Sequence, residues 1–223
     1  MCDMKYVKRI KVWDKEIVFD PNINIIIGPN GSGKTRLLSL LARGLRPRVF
    51  PGGDEYEIEM SDGEVITNTS PISSGGVLVE GLRNWTSLNS FLNWVYQEDY
   101  SDILGGSWRN RSLICPKEAI EWINSRLVDK ELRITDSDLL RLVLTRDGKE
   151  LSEASGGETR LIYFVLTARK GVFLWDCPER SISITTQAEL MKKMTELYPE
   201  TQFIITTHSP DILADLIDKV ITL

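Results

Sequence analysis

The chain has 223 residues, 42% of them hydrophobic and 26% charged, which supplies a full core and excludes a disordered or low-complexity protein. Its formal charge of −5 gives no global attraction to nucleic acid or anionic lipid, so any such contact must come from a local basic patch. The three cysteines, Cys2, Cys115 and Cys177, lack disulfide or zinc spacing, and neither a leader h-region nor a run of ~18 apolar residues is present. A soluble protein of a reducing, cytoplasmic compartment is expected.

In chain order, Val7, Ile10 and Val12, then Ile17, Val18 and Phe19, predict two strands around a polar turn at Asp14-Lys15. Asp20-Pro21-Asn22 breaks the pattern before the apolar string Ile23 to Ile27, and GPNGSGKT, Gly28 to Thr35, follows at once. Its Gly28, Gly33, Lys34 and Thr35 match G-x-x-x-x-G-K-[ST] between a strand and a helix, the setting a phosphate-binding loop requires. The N–H groups of Asn30, Gly31, Ser32, Gly33 and Lys34 would converge on phosphates, with Lys34 neutralising charge and the Thr35 hydroxyl available to Mg²⁺. Arg36 is counted with these cofactor-binding residues, and a nucleoside triphosphate is the expected ligand.

The helix that begins at Gly33 should end near Gly44, where Arg43, Arg46 and Arg48 cluster; a solvated rim is the plain reading and phosphate-backbone contact the functional one. Asp62-Gly63 sits between two alternating runs and predicts a hairpin, and Val77 to Val79 offers one more strand. From Trp85 to Trp122 the aromatics concentrate, with helical spacing at Leu88, Phe91, Leu92 and Val95, so residues 84–130 read as a helical insertion. Trp108, between polar and basic neighbours Arg109 and Arg111, suits a partner or a base, though aromatics at such spacing also build a local core. A helix is expected from Pro116 to Val128, then a strand from Leu139 to Thr145 turning at Asp147-Gly148.

Ser155, Gly156, Gly157 and Glu158 stand directly before an apolar helix, a pattern that serves either as a helix cap or as a second anion site. Val172 to Trp175 is then a buried strand ending in Asp176, the Walker B arrangement in which a carboxylate holds Mg²⁺, with Cys177, Pro178 and Glu179 after it. A helix with Leu190, Met191, Met194 and Leu197 leads to the strand Phe203 to Thr206 and to Thr207-His208-Ser209-Pro210. His208 is the single histidine, placed where the C-terminal edge of an α/β sheet binds ligands.

The ordered set of GPNGSGKT, SGGE, Asp176 with Pro178-Glu179, and TTHSPD resembles the ABC-type ATPase heads, within them the SMC, RecF and OLD-like branch and the small AAA-family ATP-binding proteins of bacterial and phage-related systems. That resemblance implies an α/β P-loop NTPase: a central, mostly parallel sheet with an N-terminal antiparallel β subdomain and a helical insertion, residues 1–223 forming one ATPase domain. It further implies a head-to-tail homodimer around ATP and Mg²⁺, in which Ser155, Gly156, Gly157 and Glu158 complete the partner's site. Thr35 and Asp176 would be metal ligands, and Lys34, Asp176, Glu179 and His208 the catalytic set. A protein effector, and DNA, are the implied partners; a membrane is not. One departure matters: the residue after the Walker B aspartate is usually a glutamate, and here it is Cys177. A thiol is a poor polariser of water near neutral pH, so either Glu179 substitutes or the chain is an ATP-sensing switch. None of Gln97, Gln187 and Gln202 sits convincingly in the glutamine loop of transporter subunits.

Overall fold

The computed structural model describes residues 4–45, 54–68, 96–98, 111–113, 115–127, 129, 131–137, 141–168, 171–179, 182–214 and 216–223. They belong to two compact units, one drawn from residues 1–82 and 168–223, the other from 83–167.

In the first unit, β1 (Val7–Val12), β2 (Lys15–Val18), β4 (Tyr56–Met60) and β5 (Val65–Thr67) form an antiparallel sheet in the order β2-β1-β4-β5. Alternation explains its two faces: Ile10, Val12, Ile58 and Met60 are buried, while Lys11, Glu57 and Glu59 lie on the other side. Val7 and Ile10 are three apart and yet both buried, because the pairing with β4 shifts between Val7 and Arg9 and a bulge absorbs the extra residue. On the outer face Arg9 bonds Glu59 and Glu16, and Lys8 and Lys11 bond Glu59 and Glu57, a charge ladder in which Lys8 and Arg9 hold the Glu59 carboxyl below its ordinary pKa. The β1–β2 turn is Trp13-Asp14, with φ of 52° and 58°, rather than Asp14-Lys15 as the polar pattern suggested. Left-handed geometry at both positions is what a two-residue hairpin of right-handed twist demands. Asp62-Gly63 turns β4 into β5 as expected.

β3 (Ile23–Ile27), β11 (Gly171–Asp176), β12 (Thr201–Thr206) and β13 (Val220–Thr222) form a parallel sheet, ordered β11-β12-β3-β13. Their runs are apolar without alternation because both faces are covered. α1 (Lys34–Gly44) packs against β4 as well as β11 and β12, so Leu37, Leu38, Leu40 and Leu41 share one core with Ile58, Val172, Leu174 and Ile204. Each such side chain, fully buried, contributes about 1.5–3 kcal/mol. Gln202, fully buried on β12, receives the Val7 N–H on Oε1 and donates from Nε2 to the carbonyls of Val7 and Asp20, stitching the two sheets together. α4 (Ile184–Leu197) and the short α5 (Pro210–Ala214) pack on each other, and a 3₁₀ turn at Ile217–Lys219 leads into β13.

In the second unit, β8 (Leu132–Ser137), β9 (Arg141–Arg146) and β10 (Lys149–Leu151) form an antiparallel meander, the last turn being the expected Asp147-Gly148. α2 (Lys117–Arg126) and α3 (Gly156–Thr167) pack together, and Asn124 fixes α2 to β8 by exchanging two hydrogen bonds with the backbone of Ile134. Within 84–130, expected to be a helical insertion, the described residues before Pro116 include an antiparallel ribbon of β6 (Tyr96–Glu98) and β7 (Arg111–Leu113), while Leu88, Phe91, Leu92 and Val95, whose spacing suggested helix, lie outside the described residues. Arg46, Arg48, Val77 to Val79, Trp85, Trp108 and Arg109 lie outside the described residues. Among those described, no helix is long and apolar enough to cross a membrane.

Candidate nucleotide site

β3 ends at Ile27 and the chain turns through Gly28, Gly31 and Gly33, with φ of 152°, 83° and 100°, into α1. A Cβ at Gly28 would lie 2.7 Å from Ser32 Oγ and 2.9 Å from the Leu223 carbonyl oxygen, and one at Gly33 would lie 3.2 Å from the Trp13 ring. The loop is therefore tight against its surroundings as well as left-handed, which only glycine tolerates. Lys34 Nζ donates to the carbonyls of Gly28 and Pro29 at 2.8 and 3.0 Å, so the ammonium arches back over the loop. Ser32 Oγ is buried within the loop with no hydrogen-bond partner among the described residues. A positive end of α1, a lysine held over the loop and an unsatisfied hydroxyl suit a polyphosphate.

β11 and β12 bring the second half of the site beside the first. The Thr35 hydroxyl donates to Asp176 Oδ2 at 3.0 Å, joining the start of α1 to the end of β11 across 141 positions of sequence. Asp176 Oδ1 takes the Thr206 hydroxyl, and Thr206, fully buried at the end of β12, also receives the Cys177 N–H on its carbonyl and hydroxyl oxygens, each at 3.1 Å. A hydroxyl and a carboxylate side by side are hard-oxygen donors that fit Mg²⁺, which takes one or two carboxylates and completes its shell with water and phosphate. No group of three or more His, Cys, Asp or Glu side chains that could hold a metal occurs among the described residues.

Cys177 follows Asp176 with φ of 50° and is 3% exposed. Its Sγ lies 3.7 Å from Thr206 Oγ1 and 3.9 Å from Asp176 Oδ1, inside the fold rather than at its surface. Two residues on, Glu179 Oε1 accepts the His208 backbone N–H at 3.0 Å, while Oε2 is buried without a hydrogen-bond partner among the described residues. The His208 side chain is exposed. The phosphate loop, Asp176, Glu179 and His208 all belong to the first unit; Ser155 to Glu158 belong to the second. There they form a reciprocal cap at the start of α3, in which Ser155 Oγ donates to Glu158 Oε2 at 2.6 Å and Oε2 also takes the Ser155 N–H at 3.2 Å.

A profile of the AAA domain family matches residues 4–69, the span from β1 through the phosphate loop to the second hairpin. Among solved structures, the SMC head domain from Thermotoga maritima superposes with a TM-score of 0.50 at 16% identity, covering 94% of this chain and 91% of that one. A nucleotide-free ATP-binding cassette from an ABC transporter superposes with a TM-score of 0.51 at 17% identity, covering 99% and 87%. In fold, the chain is similar to these two ATP-binding heads. A search of the curated proteins found no match. The α/β class expected for the head and its mixture of a parallel and an antiparallel sheet are both present.

Trp13 escaped the sequence reading: it packs on Gly33 and carries the Arg36 guanidinium over its ring at 5.3 Å, and an aromatic residue at a hairpin tip was the signal for it. Thr206 and Ser209 lie within the TTHSPD motif and Gln187 is one of the glutamines weighed for a glutamine loop, but their tertiary hydrogen bonds carry no local signal.

Proposed function

We propose that the head binds Mg²⁺-ATP in its phosphate loop and hydrolyses it slowly, using the binding and release of nucleotide to control a protein effector. The observation that carries this reading is the Thr35–Asp176 hydrogen bond, which sets the two donors expected of a Mg²⁺ site in contact at the mouth of a glycine loop. On binding, Lys34 would leave the loop carbonyls for the phosphates, and Thr35 and Asp176 would hold Mg²⁺, which would supply charge neutralisation there. Arg36, stacked on Trp13 and ion-paired with Asp54, stands beside the loop in the first turn of α1 and could turn its charge toward the nucleotide by releasing Asp54. Glu179 orients the attacking water through Oε2, the oxygen left without a hydrogen-bond partner among the described residues, and His208 contacts the terminal phosphate. Residues 1–223 are read as one ATPase domain with an insertion at 84–130, working in the cytoplasm as an ATP-dependent homodimer. Ser155, Gly156, Gly157 and Glu158 then meet the partner's nucleotide. DNA is a possible second ligand.

The alternative, a switch that binds ATP without hydrolysing it, is favoured by one observation: the residue in the usual glutamate position is a buried thiol facing Thr206 and Asp176. Calorimetric titration of ATP with and without Mg²⁺, together with phosphate release with and without DNA, tests both. Lys34→Ala is expected to weaken ATP binding by at least tenfold. Binding that is indifferent to Lys34 and Mg²⁺ overturns the nucleotide reading, and tight binding without phosphate release selects the switch.

A further inference from the structure

The loop that carries His208 is held to the segment that carries Glu179 at two points, and only one of them involves Glu179's own side chain. The first is Glu179 Oε1 on the His208 N–H. The second is Gln187, in the first turn of α4. Its Oε1 accepts the Ser209 hydroxyl at 2.7 Å, and its Nε2 donates to the carbonyls of Ile182 at 2.6 Å and Glu179 at 3.3 Å. Ser209 is 6% exposed, its backbone N–H is taken by Thr207 Oγ1 at 3.0 Å, and the hydroxyl that reaches Gln187 also accepts the Ile212 N–H at 3.4 Å. The Glu179 carbonyl also accepts the Ile182 N–H at 3.0 Å, so the same amide meets both ends of that hydrogen-bonded pair. One side chain thus joins the loop after β12 to the turn after β11.

We propose that Gln187 is a positioning residue of the nucleotide site: its amide sets the separation of Glu179 and His208 and makes their two segments move together. The proposal deepens the nucleotide-binding reading and rests on it. The chemistry requires an amide. The oxygen has to accept from a hydroxyl while the nitrogen donates to carbonyls, and no other side chain of that length does both. A carboxylate would keep the first contact and set an oxygen against the two carbonyls. Because this link involves neither Lys34 nor Thr35, its loss should leave nucleotide affinity in place and misplace the groups around the terminal phosphate. Misplacement by about 1 Å is enough to lower turnover by roughly 10²-fold.

His208 is the only histidine, so its imidazole resonances report this loop without assignment ambiguity in the full-length chain. The test compares wild type, Gln187→Ala, Gln187→Glu and Ser209→Ala. Three quantities are read: ATP affinity, phosphate release, and the His208 imidazole signals with and without Mg²⁺ and a slowly hydrolysed ATP analogue. Wild type is expected to give one His208 signal set that shifts on adding the analogue. Both Gln187 variants should bind ATP within about threefold of wild type, lose roughly ten- to a hundredfold in turnover, and show a broadened or multiple His208 signal. Ser209→Ala reaches the same contact from the other loop and should do likewise. If Gln187→Ala keeps both wild-type turnover and a single unchanged His208 signal, Gln187 is not a positioning residue. A fall in melting temperature with those two readouts intact overturns the proposal in the same way. Should wild type bind no nucleotide, the underlying reading fails, and the His208 signal of the nucleotide-free variants alone decides whether Gln187 sets the loop.

Discussion

At the residue scale, Glu179 and Cys177 compete for the task of holding a water against the terminal phosphate, and their surroundings separate them. A group that polarises a water must present an acceptor to it. Cys177 is 3% exposed, with its sulfur against Thr206 and Asp176, whereas Glu179 keeps one carboxylate oxygen without a hydrogen-bond partner among the described residues. Glu179→Gln preserves an acceptor for the His208 N–H and removes the charge. It is expected to lower phosphate release by about 10²- to 10⁴-fold, the range of a positioned general base, with ATP affinity unchanged. Cys177→Ser, which exchanges one buried donor for another of similar size, should leave turnover within about twofold. Steady-state phosphate release on the three proteins checks both expectations. A large loss in Cys177→Ser with none in Glu179→Gln would reverse the assignment.

At the scale of elements, the strand, loop and helix around Gly28 to Thr35 are fixed by covalent geometry more than by composition. Gly28 sits where an added Cβ meets Ser32 Oγ at 2.7 Å and the backbone of Leu223 at 2.9 Å, and Gly33 combines φ of 100° with the Trp13 ring at 3.2 Å. Gly31, also left-handed, has open space around its Cβ position. The three therefore respond differently to alanine. Gly31→Ala should cost only the conformational penalty of about 1–2 kcal/mol. Gly28→Ala and Gly33→Ala add steric displacement to strain, so each should lower the melting temperature further and weaken ATP binding more than Gly31→Ala does. Thermal unfolding and nucleotide titration of the three variants check this order.

The same elements show what was legible beforehand. The phosphate loop, the Asp62-Gly63 and Asp147-Gly148 turns and the strand before Asp176 were readable because local spacing and turn chemistry specify them. β8 was not, since only Leu132 and Ile134 are apolar and charged residues flank them. The ribbon of β6 and β7 was not foreseen, since each strand is three residues long and too short to show an alternating pattern. Thr206 and Ser209 were marked by the TTHSPD motif, but the hydrogen bonds they make with Asp176 and Gln187 form only once β11, β12 and α4 have been brought together, and no local pattern shows those.

At the scale of the whole molecule, the question is how a signature on one head could serve a nucleotide on another, and Glu158 limits the answer. The start of α3 is an anion-attracting helix end, but its N–H and hydroxyl groups already face an anion of the chain's own: Ser155 bonds Glu158 through both N–H and Oγ. A phosphate arriving from a partner would have to share or displace that carboxylate. A charge in the first helical turn interacts with the helix end by about 0.3–1 kcal/mol. Glutamine in the same place keeps the reciprocal cap and drops the charge. Glu158→Gln is therefore expected to tighten ATP-dependent dimerisation by about two- to fivefold, the same energy expressed as an association constant. Ser155→Arg, which removes the hydroxyl and adds bulk, should abolish dimerisation while each head still binds ATP. Sedimentation of the Glu179→Gln chain with Mg²⁺-ATP, alone and carrying either second change, measures this without hydrolysis dissolving the complex. If Glu158→Gln leaves the association constant as it was, or Ser155→Arg dimerises as well as its parent, then Ser155 to Glu158 act as a helix cap alone, and whatever joins two heads lies elsewhere on the chain.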